Sequence, residues 1–209
     1  MIEGLKDKIK HYFTDAGHGF DHTERVYHMA VKIAKAEKVD LEIVKAAALL
    51  HDVGRSKEDS DKGICHAEES AKMAPGILKE IGFPEYKINA VLHCIKVHRY
   101  SKQLKAETKE AAIIQDADRL DALGAISVGR VFSRGGYKRR PMHDSKLKYD
   151  TGYNVKKKAR TSLEHFYEKI LKIKPETFNT KLAKQIAKER YAFTKEFVER
   201  FEKEWSGEL

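Results

Sequence analysis

The chain is poor in residues that staple or break a fold. It has two cysteines, Cys65 and Cys94, among 209 residues. That is too few for a disulfide framework. Each adjoins a histidine, in Cys65–His66 and His93–Cys94, but no CxxC pair supplies the short ligand spacing of a structural zinc site. Both are read as reduced thiols of a cytoplasmic protein. Only four prolines occur, so long uninterrupted helices are allowed. No apolar run is long enough to cross a bilayer, and MIEGLKDKIKHYF lacks the apolar core of a signal peptide. No alternating strand pattern of any length and no internal repeat is present.

What is there is charge. Lys and Arg number 41 against 32 Asp and Glu, a formal net charge of +9. Such an excess attracts phosphate, whether on nucleic acid, anionic lipid or a small substrate. No long basic tail or nucleic-acid-binding motif accompanies it, so a small-molecule nucleotide is expected rather than nucleic acid or a membrane. The alternative is that the excess only keeps a globular protein in solution. Hydrophobic residues at 41% are enough for a core, and the length fits one domain. The expected oligomeric state is monomer or homodimer.

Helical periodicity runs through most of the chain. Asp21 is the expected N-cap of a segment from His22 to Lys38, and Asp40 of the nearly all-apolar LEIVKAAALLHD, ending at Gly54. Further helices are expected from Ala67 to Ile81, Pro84 to Val97, Glu107 to Asp118 and Leu120 to Phe132. Residues 133–154, SRGGYKRRPMHDSKLKYDTGYN, lack apolar periodicity and read as a loop. Two amphipathic helices follow, Val155 to Ile173 and Lys181 to Trp205, the second burying Ile186, Tyr191, Phe193, Phe197 and Phe201. The expected fold is all-α: one domain over 1–209, with a core at about 20–132, a basic loop at 133–154 and a C-terminal helical pair at 155–205.

The polar residues that stand out are those ending apolar runs. In ALLHDVG, His51 and Asp52 close the most apolar helix of the chain. A buried carboxylate is costly unless paired or bound to a metal. Taken alone, His51 could simply cap its helix and Asp52 a neighbour. GFDHTERV places His22 at the start of an earlier helix, and IIQDADRLDALG places Asp116 directly after an apolar run. Imidazole nitrogens with carboxylate oxygens suit a borderline divalent transition metal, and two of each leave positions for water and substrate.

The order His, then His-Asp, then Asp resembles the signature of the HD superfamily. The resemblance runs from about His22 to Asp121. It implies a helical core around a divalent metal held by His22, His51, Asp52 and Asp116. CHAEESAKMAPGIL, VLHCIKVHRYS, the RVFSRGGY loop and the C-terminal TSLEHFYEKILKI and AKQIAKERYAFTKEFVERFEKEW extend it over nearly the whole chain, toward a subgroup of small stand-alone HD proteins. That subgroup is similar to nucleotide pyrophosphohydrolases, which implies cleavage of a (deoxy)nucleoside triphosphate to monophosphate and pyrophosphate. The implied ion is Mn2+, with Fe, Ni, Co, Zn and Mg as alternatives.

The resemblance also assigns roles. His66 and His98 either bind a second ion or face the substrate phosphates; the one-metal reading, with both as catalytic groups beside Asp52, is preferred. His93, five residues before His98, faces elsewhere on a helix and is expected to pack or reach solvent. Some nucleotidases of the superfamily carry a glutamate where this chain has Arg55, so a catalytic glutamate is excluded there. Arg55 either meets a phosphate or is a solvated helix-end cation. Arg119 is expected to steady a carboxylate or meet substrate, and Asp121 to cap the next helix. Arg134, Lys138, Arg139 and Arg140 of the basic loop are either a lid over a polyphosphate, hinged at Gly135 and Gly136, or a solvated surface. Other readings are a phosphodiesterase, a 5′-nucleotidase or alarmone hydrolase, a di-iron oxygenase, or, outside enzymes, a nucleotide-sensing or nucleic-acid-binding protein.

Overall fold

A computed structural model of the chain describes residues 2–13, 19–61, 63–149 and 159–209. The α-helices are α1 (Ile2–Ile9), α2 (Phe20–Glu37), α3 (Leu41–Leu50), α4 (Arg55–Ser60), α5 (His66–Glu80), α6 (Glu85–Val97), α7 (Lys109–Asp121), α8 (Ala125–Tyr137), α9 (Ser162–Glu168) and α10 (Lys181–Ser206). Among the described residues there is no strand, and the fold is all-α as expected. The chain divides into two compact units, Met1–Asp118 and Arg119–Leu209.

The first unit is built around α3. Asp40 caps it, its carboxylate accepting from the backbone N–H of Glu42 and of Ile43 at 2.9 and 3.3 Å. That satisfies donors which the first turn of a helix leaves unpaired. Val44, Ala46, Ala47, Ala48, Leu49 and Leu50 are all fully buried. Small alanines let neighbours approach, and α1, α2, α5 and α6 all pack against α3. Each fully buried leucine contributes roughly 1.5–3 kcal/mol of transfer free energy, which fixes the helix as the core of its unit.

The α3 helix stops at Leu50, and His51 to Gly54 form a turn before α4. Gly54 is required there by close approach. A Cβ on it would lie 2.7 Å from the Ser70 backbone nitrogen and 2.9 Å from the Glu69 Cβ. The Gly54 N–H donates to the Ser70 hydroxyl at 2.9 Å, so the turn is fastened to α5.

Several boundaries differ from the sequence expectation. Gly19, not Asp21, stands at the N-cap of α2; Asp21 lies in the first turn and pairs with Arg25 at 2.7 Å. The α7 helix continues to Asp121, and α8 starts after Gly124 and runs on to Tyr137. The start of the supposed basic loop, with Arg134, Gly135 and Gly136, is therefore helical. Packing overrides the poor helix propensity of glycine here: Gly135 is buried, and a Cβ on it would meet the Ser162 hydroxyl oxygen at 2.1 Å. The expected helix from Val155 to Ile173 is shorter: α9 spans Ser162–Glu168, a 3-10 turn follows at Ile170–Lys172, and residues 155–158 lie outside the described ones. In the second unit, Phe132, Phe166, Phe197 and Phe201 cluster with ring centroids 5.5–6.1 Å apart. Phe193 is exposed instead, because Ala183, Ala187, Thr194 and Val198 mark the buried line of α10.

Candidate metal centre

Helix ends carry the chemistry to one place in the first unit. His22 lies in the first turn of α2, His51 follows the last residue of α3, and His66 is the first residue of α5. His98 follows the last residue of α6, and Asp118 is near the end of α7. Apolar helices buried along their length bring their polar ends inward, so His22, His51, Asp52, His66 and His98 are all at most 3% exposed. Asp118 reaches solvent in part.

The ligand atoms form two overlapping groups, His22–His51–Asp118 and His51–Asp52–His98. His22 Nε2 is 3.4 Å from His51 Nε2 and 3.4 Å from Asp118 Oδ1. Asp52 Oδ2 is 3.9 Å from both His22 Nε2 and His51 Nε2. Neighbouring ligands of an octahedral ion with bonds of about 2.1 Å lie about 3 Å apart, so these spacings are close to those of adjacent ligands on one ion. The other carboxylate oxygen, Asp52 Oδ1, is 3.3 Å from His66 Nε2 and 3.6 Å from His98 Nε2, which are 3.3 Å from each other.

Hydrogen bonds set the tautomers. His51 Nδ1 donates to the Ala48 carbonyl at 2.8 Å, and His98 Nδ1 to the Ile95 carbonyl at 2.7 Å. For His51 the hydrogen on Nδ1 leaves the Nε2 lone pair directed into the cluster, the form in which imidazole binds a metal. Asp52 Oδ1 is buried without a hydrogen-bond partner among the described residues. Inward-facing acceptors crowded at 3.3–3.9 Å are stabilised by a cation among them, so the residues fit a divalent ion.

The electrostatics agree. Burial drives the His51 imidazole down to about 4, so it is neutral at pH 7. Burial, with the Arg55 guanidinium also acting, takes His66 down to about 4, against the pull of Asp52. Burial also opposes charge on Asp52 and Asp118. For Asp52, Arg55, His51 and His98 outweigh it and hold the carboxyl well below the usual range. For Asp118, His22, His98 and His51 do the same. His98 is raised: burial disfavours its charge, but Asp52 and Asp118 more than compensate.

Where the sequence expectation places Asp116, the ligand groups hold Asp118. Asp116 is fully buried but belongs to neither group. Two residues along a helix is a rotation of about 200°, so the two carboxylates leave α7 on opposite sides, and it is Asp118 that faces His22. Nothing in the composition of QDADRLD ranks one aspartate above another; only the phase of α7 against α2 does.

Of the expected substrate-binding cations, Arg55 borders the cluster, its Nη1 2.6 Å from His66 Nδ1. The others belong to the second unit. Arg119 donates to the Thr177 carbonyl at 3.2 Å. Arg134 lies in the last turn of α8, Lys138 and Arg139 are exposed, and the Arg140 N–H donates to the Gly135 carbonyl at 2.8 Å. Asp121 does not cap α8, whose N-cap is Gly124; it pairs with Arg130 at 2.5 Å. His93 accepts from the Glu107 N–H at 3.3 Å, away from the cluster. Cys65 and Cys94 are both free thiols, and neither joins a ligand group among the described residues. Glu58, which sequence reasoning passed over, lies beside His66, and Arg99, also passed over, pairs with Glu58 at 2.9 Å.

Converging helix ends with paired histidine and aspartate donors define a class: an all-α protein with a buried divalent-metal site. Residues 19–123 match the HD domain, and the chain belongs to the HD domain family. An HD-superfamily hydrolase of Bacillus thuringiensis has 36% identity to it and a TM-score of 0.75, with 98% of this chain and 96% of that one covered. A predicted HD-superfamily hydrolase from an uncultured Thermotogales bacterium has 32% identity, covers 97% and 92%, and has a TM-score of 0.68. YpgQ of Bacillus subtilis, whose crystal structure was solved in complex with ADP, has 27% identity, covers 98% and 97%, and has a TM-score of 0.73. The chain is a hydrolase of the HD superfamily.

Proposed function

We propose that the chain is a nucleotide pyrophosphohydrolase that cleaves a (deoxy)nucleoside triphosphate between the α and β phosphates. The observation that carries the reading is the cluster of His22, His51, Asp52 and Asp118, with Nε2 lone pairs and carboxylate oxygens within 3.4–3.9 Å. The ADP complex of YpgQ supports a nucleotide as ligand.

In this reading His22, His51, Asp52 and Asp118 hold the ion, preferably Mn2+. A divalent ion there polarises a phosphoryl oxygen and acidifies a water. The protein groups do the rest. Asp52, ionised at pH 7 in spite of burial, accepts the attacking water's proton through Oδ1, which is oriented toward His66 and His98. His98, with its Nδ1 hydrogen engaged by Ile95, presents Nε2 toward the phosphates, and Arg55, packed against the neutral His66 ring, neutralises charge developing on the leaving pyrophosphate. Burial of these groups excludes bulk water and strengthens each contact. No protein nucleophile is required.

The test is a panel of nucleotides incubated with the manganese-loaded protein in 18O-labelled water. Label in the monophosphate, with pyrophosphate as co-product, is the expected result. Release of orthophosphate, or intact triphosphate leaving as a unit, moves the enzyme to another HD activity.

One observation favours a second reading. Asp52 directs one oxygen toward His22 and His51 and the other toward His66 and His98. A carboxylate so placed can bridge two ions, which suits a phosphodiesterase. Metal content decides: one equivalent per chain supports the first reading, and two support the second.

A further inference from the structure

Beside the ion-holding groups lies a second array that the reaction above leaves without an organiser. It contains one carboxylate, Glu58 on the short α4, between three nitrogen-bearing side chains. Glu58 Oε2 meets His66 Nδ1 in a close contact and Arg55 Nη1 at 3.4 Å, while Oε1 accepts from Arg99 Nη2 at 2.9 Å. The Glu58 side chain is 16% exposed. Arg99 is tied further, donating from Nε to the Ser101 hydroxyl at 2.8 Å and from Nη1 toward the Cys65 sulfur at 3.5 Å. The array thus spans α4, the start of α5 and the segment after α6.

A carboxylate only accepts and a guanidinium only donates. The hydrogen between Glu58 and His66 therefore belongs to His66 Nδ1, while Arg55 Nη1 packs against the ring, 2.6 Å from Nδ1 and 3.1 Å from Nε2, and Nε2 is left facing His98 Nε2 and Asp52 Oδ1, both at 3.3 Å. The same carboxylate sits between two guanidinium groups that would otherwise repel each other across a partly buried space. One residue accordingly sets a tautomer, a ring orientation and the spacing of two cations.

We propose that Glu58 is a positioning residue: by holding His66, Arg55 and Arg99 in one array at the edge of the His–Asp cluster, it presets the orientation of the His66 ring and places two guanidinium groups for a substrate's phosphates. The inference rests on the phosphohydrolase reading for its substrate, and its geometry stands apart from it. Arg99 becomes a further phosphate-facing cation alongside Arg55.

The test combines kinetics with the state of the His66 ring. In the zinc-loaded, 15N-labelled protein, ring resonances report the tautomer, with Nδ1 protonated in the wild type. E58A loses that preference, and its kcat falls roughly 10–100-fold, the range expected when an outer hydrogen-bonding partner is removed, while metal content stays unchanged. E58Q keeps a carbonyl acceptor for Nδ1–H but loses the charge between the arginines, so it retains the tautomer and shows a rise in KM of about tenfold, equivalent to one lost charge-assisted contact. E58D restores part of both. An unchanged tautomer or unchanged kinetics in E58A overturns the proposal. If E58A does not fold, E58Q decides through its affinity for ADP measured by calorimetry, and an unchanged affinity overturns the proposal. A wild type that hydrolyses no nucleotide defeats the functional reading, and the E58A tautomer alone then decides the role of Glu58.

Discussion

Asp116 and Asp118 are two positions apart in one helix, yet only Asp118 has its carboxylate 3.4 Å from His22. Replacement of each by asparagine separates them. Asp118→Asn should lose metal affinity by more than about 100-fold, beyond the cost of removing an outer partner. Asp116→Asn should keep its metal, read by elemental analysis after dialysis. Metal retained by Asp118→Asn and lost by Asp116→Asn would restore the sequence expectation. Cys94 supplies a second test at this scale. It is fully buried, and burial pushes its thiol from 9.0 up to about 12. A thiol reagent at pH 8 should therefore leave Cys94 unmodified in the native chain and react with it once the chain is unfolded. The linkage has a definite sign. Between pH 9 and 12 the unfolded thiol releases its proton while the folded one keeps it. Stability from this group is complete below pH 9 and falls as pH rises, by roughly 1.4 kcal/mol per unit. Denaturation curves of Cys94→Ala should lack that component of the slope.

Among the elements, the turn from His51 to Gly54 has the least freedom. Its glycine is pressed against backbone atoms of α5 and cannot gain a methyl group without moving the helix that carries His66. Gly54→Ala should cost roughly 1–3 kcal/mol, the usual penalty for overpacking, and lower metal affinity with it; urea denaturation and metal titration measure the two. Wild-type stability in that variant would mean that α5 yields easily. The segment after α8 is governed by different physics. Lys138 and Arg139 are exposed, and Arg139 has a φ of +52°, a left-handed conformation that ends the helix. Neutralising Arg139 and Arg140 together should raise KM for a triphosphate more than for a monoester if these cations meet the leaving phosphates. Equal effects on both substrates would leave them a solvated surface. The glycines read as hinges are not in a loop at all: Gly135 and Gly136 are inside α8.

For the whole molecule, metal and stability should be coupled, because the proposed ligands come from α2, the turn after α3, and α7, which are joined only when the chain is folded. At a metal concentration a hundred times its Kd, binding adds about 2.7 kcal/mol. For a chain of this length that corresponds to roughly 5–10 °C in Tm, so chelation should lower Tm by that amount and added ion should restore it. An unchanged Tm would deny the site its ion. The net charge of +9 predicts a second dependence. A polyanionic substrate should bind more weakly as ionic strength rises, because screening shortens the reach of the field. No helix among the described residues is long and apolar enough to cross a membrane.

The sequence by itself determined the helical fold, the burial of α3 and the gathering of histidines and aspartates at helix ends. These follow from local periodicity and from the cost of burying an unpaired carboxylate, and both can be read along a single strand of letters. His51 and Asp52 were legible for that reason, since they sit where an apolar run gives way to polar residues, and His22 was legible from the start of a helix. Which aspartate of QDADRLD faces them was decided by the rotation of α7 against α2, a relation between segments far apart in the chain that no local pattern encodes. The same holds for Glu58 and Arg99. Each looks like an ordinary surface charge in sequence and is drawn to the edge of the cluster only because α4, α5 and the end of α6 meet. The full extent of α8 was likewise a tertiary matter, since glycine is a poor helix former and Gly135 is held in its helix by packing that leaves no room for a side chain.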